Sequence, residues 1–280
     1  MKIAKLGKVL SGQDGAVFSG LAFRFDEKGV CNVYKIANFP DSTPVAAFTL
    51  DKAEILAPHS NSVAFGSEYY QEGDEFPLLY TNLYNNYSKS KNQLKGVTCV
   101  YRIFREGDSF GSCLVGLIEI GFTEDPLWKS ENGDVRPFGN FALDKKAGLY
   151  YAFTMRDGDK KTRYFSFKMP NLAEGVIDEK YGVKKVVLNK EDILDYFDVD
   201  YHFFIQGAIC EEGKIYSLEG FTDDKVNRPA IRIVDTAGKT QESVVYFEDL
   251  GSTVEPEFID FEKGVCYYAD NHGNFYKMEF

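Results

Sequence analysis

Long apolar runs are missing from this sequence. The N-terminal MKIAKLGKVLSGQDG holds none of signal-peptide length, and no stretch elsewhere would cross a bilayer as a helix, so the expected compartment is the cytoplasm. Positive charge is also scarce, with 32 Lys and Arg against 43 Asp and Glu. At a net charge of -11 and without a Lys/Arg stripe, neither nucleic acid nor an anionic membrane is an expected partner. Only 4 Met and 1 Trp stand beside 18 Tyr and 24 Phe, a balance that favours pleated packing over helices. The cysteines Cys31, Cys99, Cys113, Cys210 and Cys266 are odd in number, lie in apolar runs and never form a CxxC pair, so all are expected to be reduced and buried. There is no GxSxG elbow and no HExxH, and Gly238-Lys239-Thr240 lacks the upstream glycine of a phosphate loop. Asp157-Gly158-Asp159 and Asp223-Asp224 lack the ligand spacing of a calcium loop. No cofactor and no metal is expected.

What the sequence does contain is one short pattern in five copies. The clearest is Phe203 to Phe221, FFIQGAICEEGKIYSLEGF, two apolar strands around Glu211-Glu212-Gly213; turn chemistry and alternation agree on a β-hairpin. The pattern returns in Pro256 to Ala269 around Glu262-Lys263-Gly264, and in Phe138 to Thr154 around Lys145 to Gly148. Looser copies lie at Asn61 to Tyr84 and Gly15 to Phe25. Recurrence without long helices in between predicts an all-β repeat architecture, the β-propeller.

Taken in order, the predicted strands group in fours. The first blade is Gly15 to Phe18, Leu21 to Phe25, Val30 to Ile36 and Val45 to Leu50; the second is Asn61 to Tyr69, Leu78 to Leu83, Val97 to Arg105 and Cys113 to Phe122, with a polar loop at Tyr84 to Lys95. The third is Asn140 to Asp144, Leu149 to Met155, Thr162 to Met169 and Val183 to Leu188. Asn189 to Phe197 then predicts a short helix, with Asn189 as N-cap and Glu191 and Asp192 in its first turn. The fourth blade is Phe203 to Cys210, Lys214 to Leu218, Ala230 to Val234 and Ser243 to Phe247. The last has only Glu257 to Phe261, Val265 to Ala269 and Asn274 to Phe280, and Met1 to Leu10 supplies the strand that closes the ring. The expectation is one domain over 1–280, a five-bladed β-propeller, with six blades open if the Asn189 region hides strands.

These hairpin copies, spread along the whole chain, resemble the five-bladed propellers, a group that includes glycoside-hydrolase families and sugar-binding lectins. The resemblance is architectural and implies a ligand site at one mouth of the central channel. In arabinanase-like glycosidases a catalytic Asp begins the first blade. Asp14 stands at that place, but the surrounding LSGQDGAVF does not match their pattern, and no role is carried over.

On that placement the mouth collects Gln13 and Asp14, His59, Ser60 and Asn61, Arg136 and Asn140, His202 and Gln206, and Glu255 and Glu257. The turns between second and third strands add Asn82, Asn85, Arg156, Glu219 and His272. Carboxylates, cations and amides together suit hydroxyls, which both donate and accept, and Tyr84, Phe138 or Tyr201 could stack on a sugar ring. Two carboxylates among Asp14, Glu219, Glu255 and Glu257 could act as acid and as base or nucleophile in glycoside hydrolysis. Structural duties compete with each of these. Asp14 before Gly15 is an ordinary turn residue, Glu255 and Glu257 could pair with Arg136 or Arg156, and a three-histidine metal site needs His59, His202 and His272 to converge from separate blades. The expected function is binding of a sugar-like small molecule at the channel mouth, and the rival is a non-catalytic scaffold for a protein partner.

Overall fold

Turn chemistry at the hairpin tips sets the architecture. Ser19 (φ 52°) and Gly20 (φ 74°), Glu212 (50°) and Gly213 (75°), and Lys263 (52°) and Gly264 (77°) each put two consecutive residues in the left-handed region. That is the geometry whose twist matches a two-residue hairpin. The computed structural model describes residues 1–40, 43–83, 94–130, 140–202 and 204–280.

Five small sheets result, arranged as the five blades of a β-propeller. After β1 (Lys2–Lys8), the first blade holds β2 (Gly15–Phe18), β3 (Leu21–Phe25), β4 (Val30–Lys35) and β5 (Ala46–Thr49). The second begins with β6 (His59–Phe65), β7 (Leu79–Leu83), β8 (Val97–Glu106) and β9 (Ser109–Ile120), and the third with β10 (Asn140–Asp144), β11 (Leu149–Arg156) and β12 (Lys161–Lys168). Next come β13 (Val176–Asp178), β14 (Val183–Leu188) and β15 (Asp195–Asp200). The fourth blade is β16 (Ile205–Glu211), β17 (Lys214–Glu219), β18 (Ala230–Asp235) and β19 (Thr240–Tyr246), and the fifth is β20 (Pro256–Glu262), β21 (Val265–Asp270) and β22 (Asn274–Glu279). β1 pairs antiparallel with β22, from Lys2 opposite Glu279 to Lys8 opposite Asn274, which completes the fifth blade and closes the ring.

Apolar side chains fill the spaces between blades. Phe23 of the first blade meets Phe65 of the second edge-to-face, with centroids 5.1 Å apart, and Phe247 stacks on Tyr268 at 4.5 Å between the fourth and fifth. Each buried ring of this kind contributes about 2–3 kcal/mol. At the closure, Val9 N donates to Gly273 O at 2.8 Å. Gly273 sits at φ 76°, where a Cβ would lie 2.1 Å from that segment's Val9 carbonyl. Gly273→Ala is therefore expected to cost about 2–3 kcal/mol in urea unfolding; a loss below about 0.5 kcal/mol would mean the closure tolerates a side chain there.

Two expected elements change. Val183–Leu188 is not the outer strand of the third blade: as β14 it runs parallel to β9, with Lys184 opposite Gly116, and with β13 extends the second sheet to six strands. The fourth strand of the third blade is β15, so most of the helix expected over Asn189 to Phe197 is replaced. Only a 3-10 turn at Lys190–Asp192 remains, with the Asp192 carboxylate accepting the Asn189 backbone N–H at 2.8 Å. Cys113 is exposed, because β8 and β9 form a long hairpin whose tip overshoots the blade; the other four cysteines are buried. The expected loop at Tyr84 to Lys95 falls mostly outside the described residues, as do Asn85, Arg136 and Phe138.

Candidate functional site at the channel mouth

The innermost strands β2, β6, β10, β16 and β20 face one another around the channel. Three of them slip register against their second strand near their start. Pairing jumps from His59/Leu83 to Val63/Thr81, from Ile205/Glu219 to Gly207/Leu218, and from Pro256/Asp270 to Phe258/Ala269. Asn61, Gln206 and Glu257 are among the residues left unpaired, and a bulge re-aims the side chain it carries. His59 (φ 53°), Ser60 (φ 61°) and Phe204 (φ 53°) add left-handed backbone, uncommon outside glycine, at the same mouth.

These distortions surround a cavity of about 280 Å³. Its polar lining residues are Gln13, His59, Asn61, Asn140, Gln206, Glu255 and Glu257; the apolar ones are Met155, Ile205 and the pair Phe204 and Phe221, whose centroids lie 4.3 Å apart. A neighbouring depression of about 510 Å³ shares Gln13, Glu255 and Glu257 and adds Lys28 and His272. The structure thus brings His59, Asn61, Asn140, Gln206, Glu255 and Glu257 to one cavity, with His272 alongside.

Hydrogen bonds fix the direction of the amides. Glu255 accepts on both oxygens, from Gln206 Nε2 on one and from Asn271 Nδ2 at 2.9 Å on the other. Gln206 Oε1 is therefore an acceptor, and takes Asn61 Nδ2 at 3.3 Å. That nitrogen also reaches Gln13 Oε1 at 3.4 Å, which leaves Asn61 Oδ1 buried without a partner. Asn82 Oδ1 accepts from Ser62 N, so Asn82 Nδ2 donates to Asn140 Oδ1 at 3.0 Å. What Asn140 retains for a ligand is its own N–H pair.

Glu257 is 4% exposed and its Oε2 has no hydrogen-bond partner. Burial pushes its carboxyl well above the ordinary value of 4.5; the Arg24 charge opposes this, while Glu255 and Asp14 add to it. Burial also raises Glu255, against the Asn271 bond, and lowers His59, favouring its neutral imidazole. Arg24, which sequence reasoning missed, is buried behind Glu257, with Nη2 donating to Gly12 O at 2.6 Å and Asp270 O at 3.3 Å. Its charge is felt by Glu257, Asp14 and Asp270.

The other expected residues take structural posts. Asp14 is fully buried beneath the cavity. Its Oδ2 accepts Val63 N at 2.8 Å and its Oδ1 accepts Ile259 N at 3.4 Å, tying three inner strands together. Burial raises its pKa well above 3.8, against the bonds from Gly15 and Val63. Glu219 pairs with Arg232 at 2.9 Å in a separate depression of about 310 Å³ that also includes Tyr201. Arg156 holds Asp159 and the carbonyls of Pro126 and Leu127. His202 is buried with Nδ1 3.3 Å from Tyr164 Oη, and burial lowers its pKa well below 6.5. Among the described residues no group of three or more His, Cys, Asp or Glu side chains is arranged to hold a metal ion.

The buried carboxyls have a consequence for pH. Asp14, Glu255, Glu257 and Asp260 bind their proton more tightly folded than unfolded. Their contribution to stability is complete below the ordinary values of 3.8 and 4.5 and is lost as pH rises through the raised ones. His59 and His202, lowered from 6.5, work the other way as pH falls below 6.5, but they are two against four. The urea midpoint is expected to be higher at pH 5 than at pH 8, and a flat or reversed profile would contradict burial as the dominant cause.

No protein-family model and no curated protein matches this sequence. Among solved structures, a glutaminyl cyclase of Myxococcus xanthus is similar at a TM-score of 0.49 and 11% identity, covering 99% of this chain and 92% of that one. The hydrazine synthase of Kuenenia stuttgartiensis is similar at 0.44 and 9%, covering 92% and 61%. The computationally designed Ika8 protein is similar at 0.36 and 10%, covering 99% of each chain. These similarities carry neither a family nor a chemistry to this chain.

Proposed function

We propose that the channel-mouth cavity binds a small, hydroxyl-rich molecule of carbohydrate type. One observation carries this reading: amides of fixed direction, two carboxyl groups and a pair of phenylalanine rings line one cavity. Hydroxyls satisfy acceptors and donors alike, and the apolar face of a sugar ring packs on aromatics. The volume lies just below the ordinary range for ligand pockets, about 300–1,000 Å³, and suits one ring better than a long oligosaccharide. Glycoside hydrolysis is the further extension of this reading. Glu255 and Glu257, which line the same cavity, would supply the two carboxyl groups that reaction needs.

A thermal-shift screen tests the reading, because a ligand that binds only the folded state at 100 times its Kd adds about 2.7 kcal/mol. Stabilisation by neutral monosaccharides and none by sugar phosphates is the expected pattern, since carboxylates line the cavity. A panel with no shift at all would remove the reading, and release of a chromogenic aglycone would decide hydrolysis.

A second reading, the non-catalytic scaffold, has its own observation. Val176 and Ile177 of β13 and Leu194 and Tyr196 around β15 are exposed beside a groove of about 730 Å³. If that surface carries the function, Ile177→Glu abolishes partner binding and leaves any sugar-induced stabilisation intact.

A further inference from the structure

The buried polar atoms left without a partner at the cavity bear on what it binds. Two of its lining residues each carry a buried side-chain oxygen without a partner, Glu257 Oε2 and Asn61 Oδ1. Both accept. The Asn61 assignment follows from the bond network, since turning the amide over would set its oxygen against the oxygens of Gln206 and Gln13. A buried acceptor left without a donor costs about 1–3 kcal/mol, more when it is charged.

Charge points the same way. Glu257 senses Arg24, Glu255 and Asp14, and Arg24 is shared with Glu257, Asp14 and Asp270, so three carboxyl groups act on one guanidinium. His59 is driven toward its neutral form. On the neighbouring depression Lys28 is accompanied by Asp26 and Glu27. The ionisable groups that flank Glu257 are thus mostly acidic, and the Phe204 and Phe221 rings, whose faces attract cations, line the same cavity.

We infer that the ligand carries an ammonium group, which donates to Glu257 Oε2 and Asn61 Oδ1. This rests on the carbohydrate-type reading of the same cavity and narrows it to amino sugars. An ammonium has three donors and no acceptor, and it matches two orphan acceptors of which one is a carboxylate. A hydroxyl in its place has one proton and would satisfy only one of the two oxygens.

The test is calorimetric titration of the protein at pH 7 with D-glucosamine, D-glucose, N-acetyl-D-glucosamine and cyclohexylammonium. Glucosamine is expected to bind at least about tenfold more tightly than glucose or the N-acetyl sugar, the difference a charge-assisted bond makes. In Glu257→Gln the preference for glucosamine over the N-acetyl sugar should vanish. Equal binding of glucosamine and glucose overturns the inference and leaves the carbohydrate reading standing. Binding of cyclohexylammonium with no sugar bound overturns the carbohydrate reading and supports the ammonium site. No binding by any of the four overturns both. The comparison among ligands on the unmodified protein decides the matter even if the Glu257 variant does not fold.

Discussion

Asp14→Ala is expected to destabilise the protein by about 3–5 kcal/mol. The carboxylate reaches from the lead-in of β2 to the backbone N–H groups of Val63 on β6 and Ile259 on β20, so one side chain satisfies donors on both neighbouring blades. Alanine leaves those donors buried and unpaired, at roughly 1–3 kcal/mol each. It also removes one of the negative groups that accompany the buried Arg24. Part of the loss is offset because the folded protein no longer desolvates a carboxyl at this position. With about 2–4 °C per kcal/mol for a chain approaching this size, the melting temperature should fall by about 6–20 °C. Asp14→Asn keeps the volume and one acceptor and should lose about half as much. A variant within about 1 kcal/mol of the parent in urea unfolding would show that the three strands hold together without this side chain.

Arg24→Met should show a loss of similar size, about 3–5 kcal/mol at pH 8, for a different reason. Methionine fills much of the same space, so what disappears is the positive charge facing Glu257, Asp14 and Asp270 and the Nη2 bonds to Gly12 and Asp270 carbonyls. Removing one partner from a buried charge cluster is costly because the others remain. Protonation can relieve that cost. Without Arg24, whose charge lowers both, Glu257 and Asp14 hold their protons more firmly when folded, so the deficit should shrink as pH falls from 8 toward 5. Urea midpoints of parent and variant at the two pH values measure this. An unchanged deficit would assign Arg24 a packing role alone.

The architecture was legible because its signals are local. Glu211-Glu212-Gly213 and Glu262-Lys263-Gly264 state their turn type in three residues, and the closing strand at the N-terminus followed from a last blade one strand short. Val183–Leu188 was assigned to the wrong sheet because six apolar-rich residues fit any blade; its parallel partner β9 lies more than sixty residues earlier and leaves no local mark. At the site, the polar residues at the inner-strand starts were visible as a set. Which of them face the cavity was not, because that depends on register slips at Asn61, Gln206 and Glu257 that an alternating pattern does not disclose. Arg24 could have been found. In LAFRF it shares a face with Ala22 amid apolar neighbours, and a charge there must be paired or solvated.

The parallel seat of β14 beside β9 has a kinetic side. The second sheet cannot acquire its fifth and sixth strands until β10, β11 and β12 have been made, and the chain then returns to supply β15 to the third blade. Each of the two blades thus waits on a segment that follows the other's strands, a loop closure that neither hairpin can pre-empt. Amide exchange should reveal them as one cooperative opening unit, with β9, β12, β14 and β15 losing protection together while the fourth blade, built from consecutive hairpins alone, opens on its own schedule.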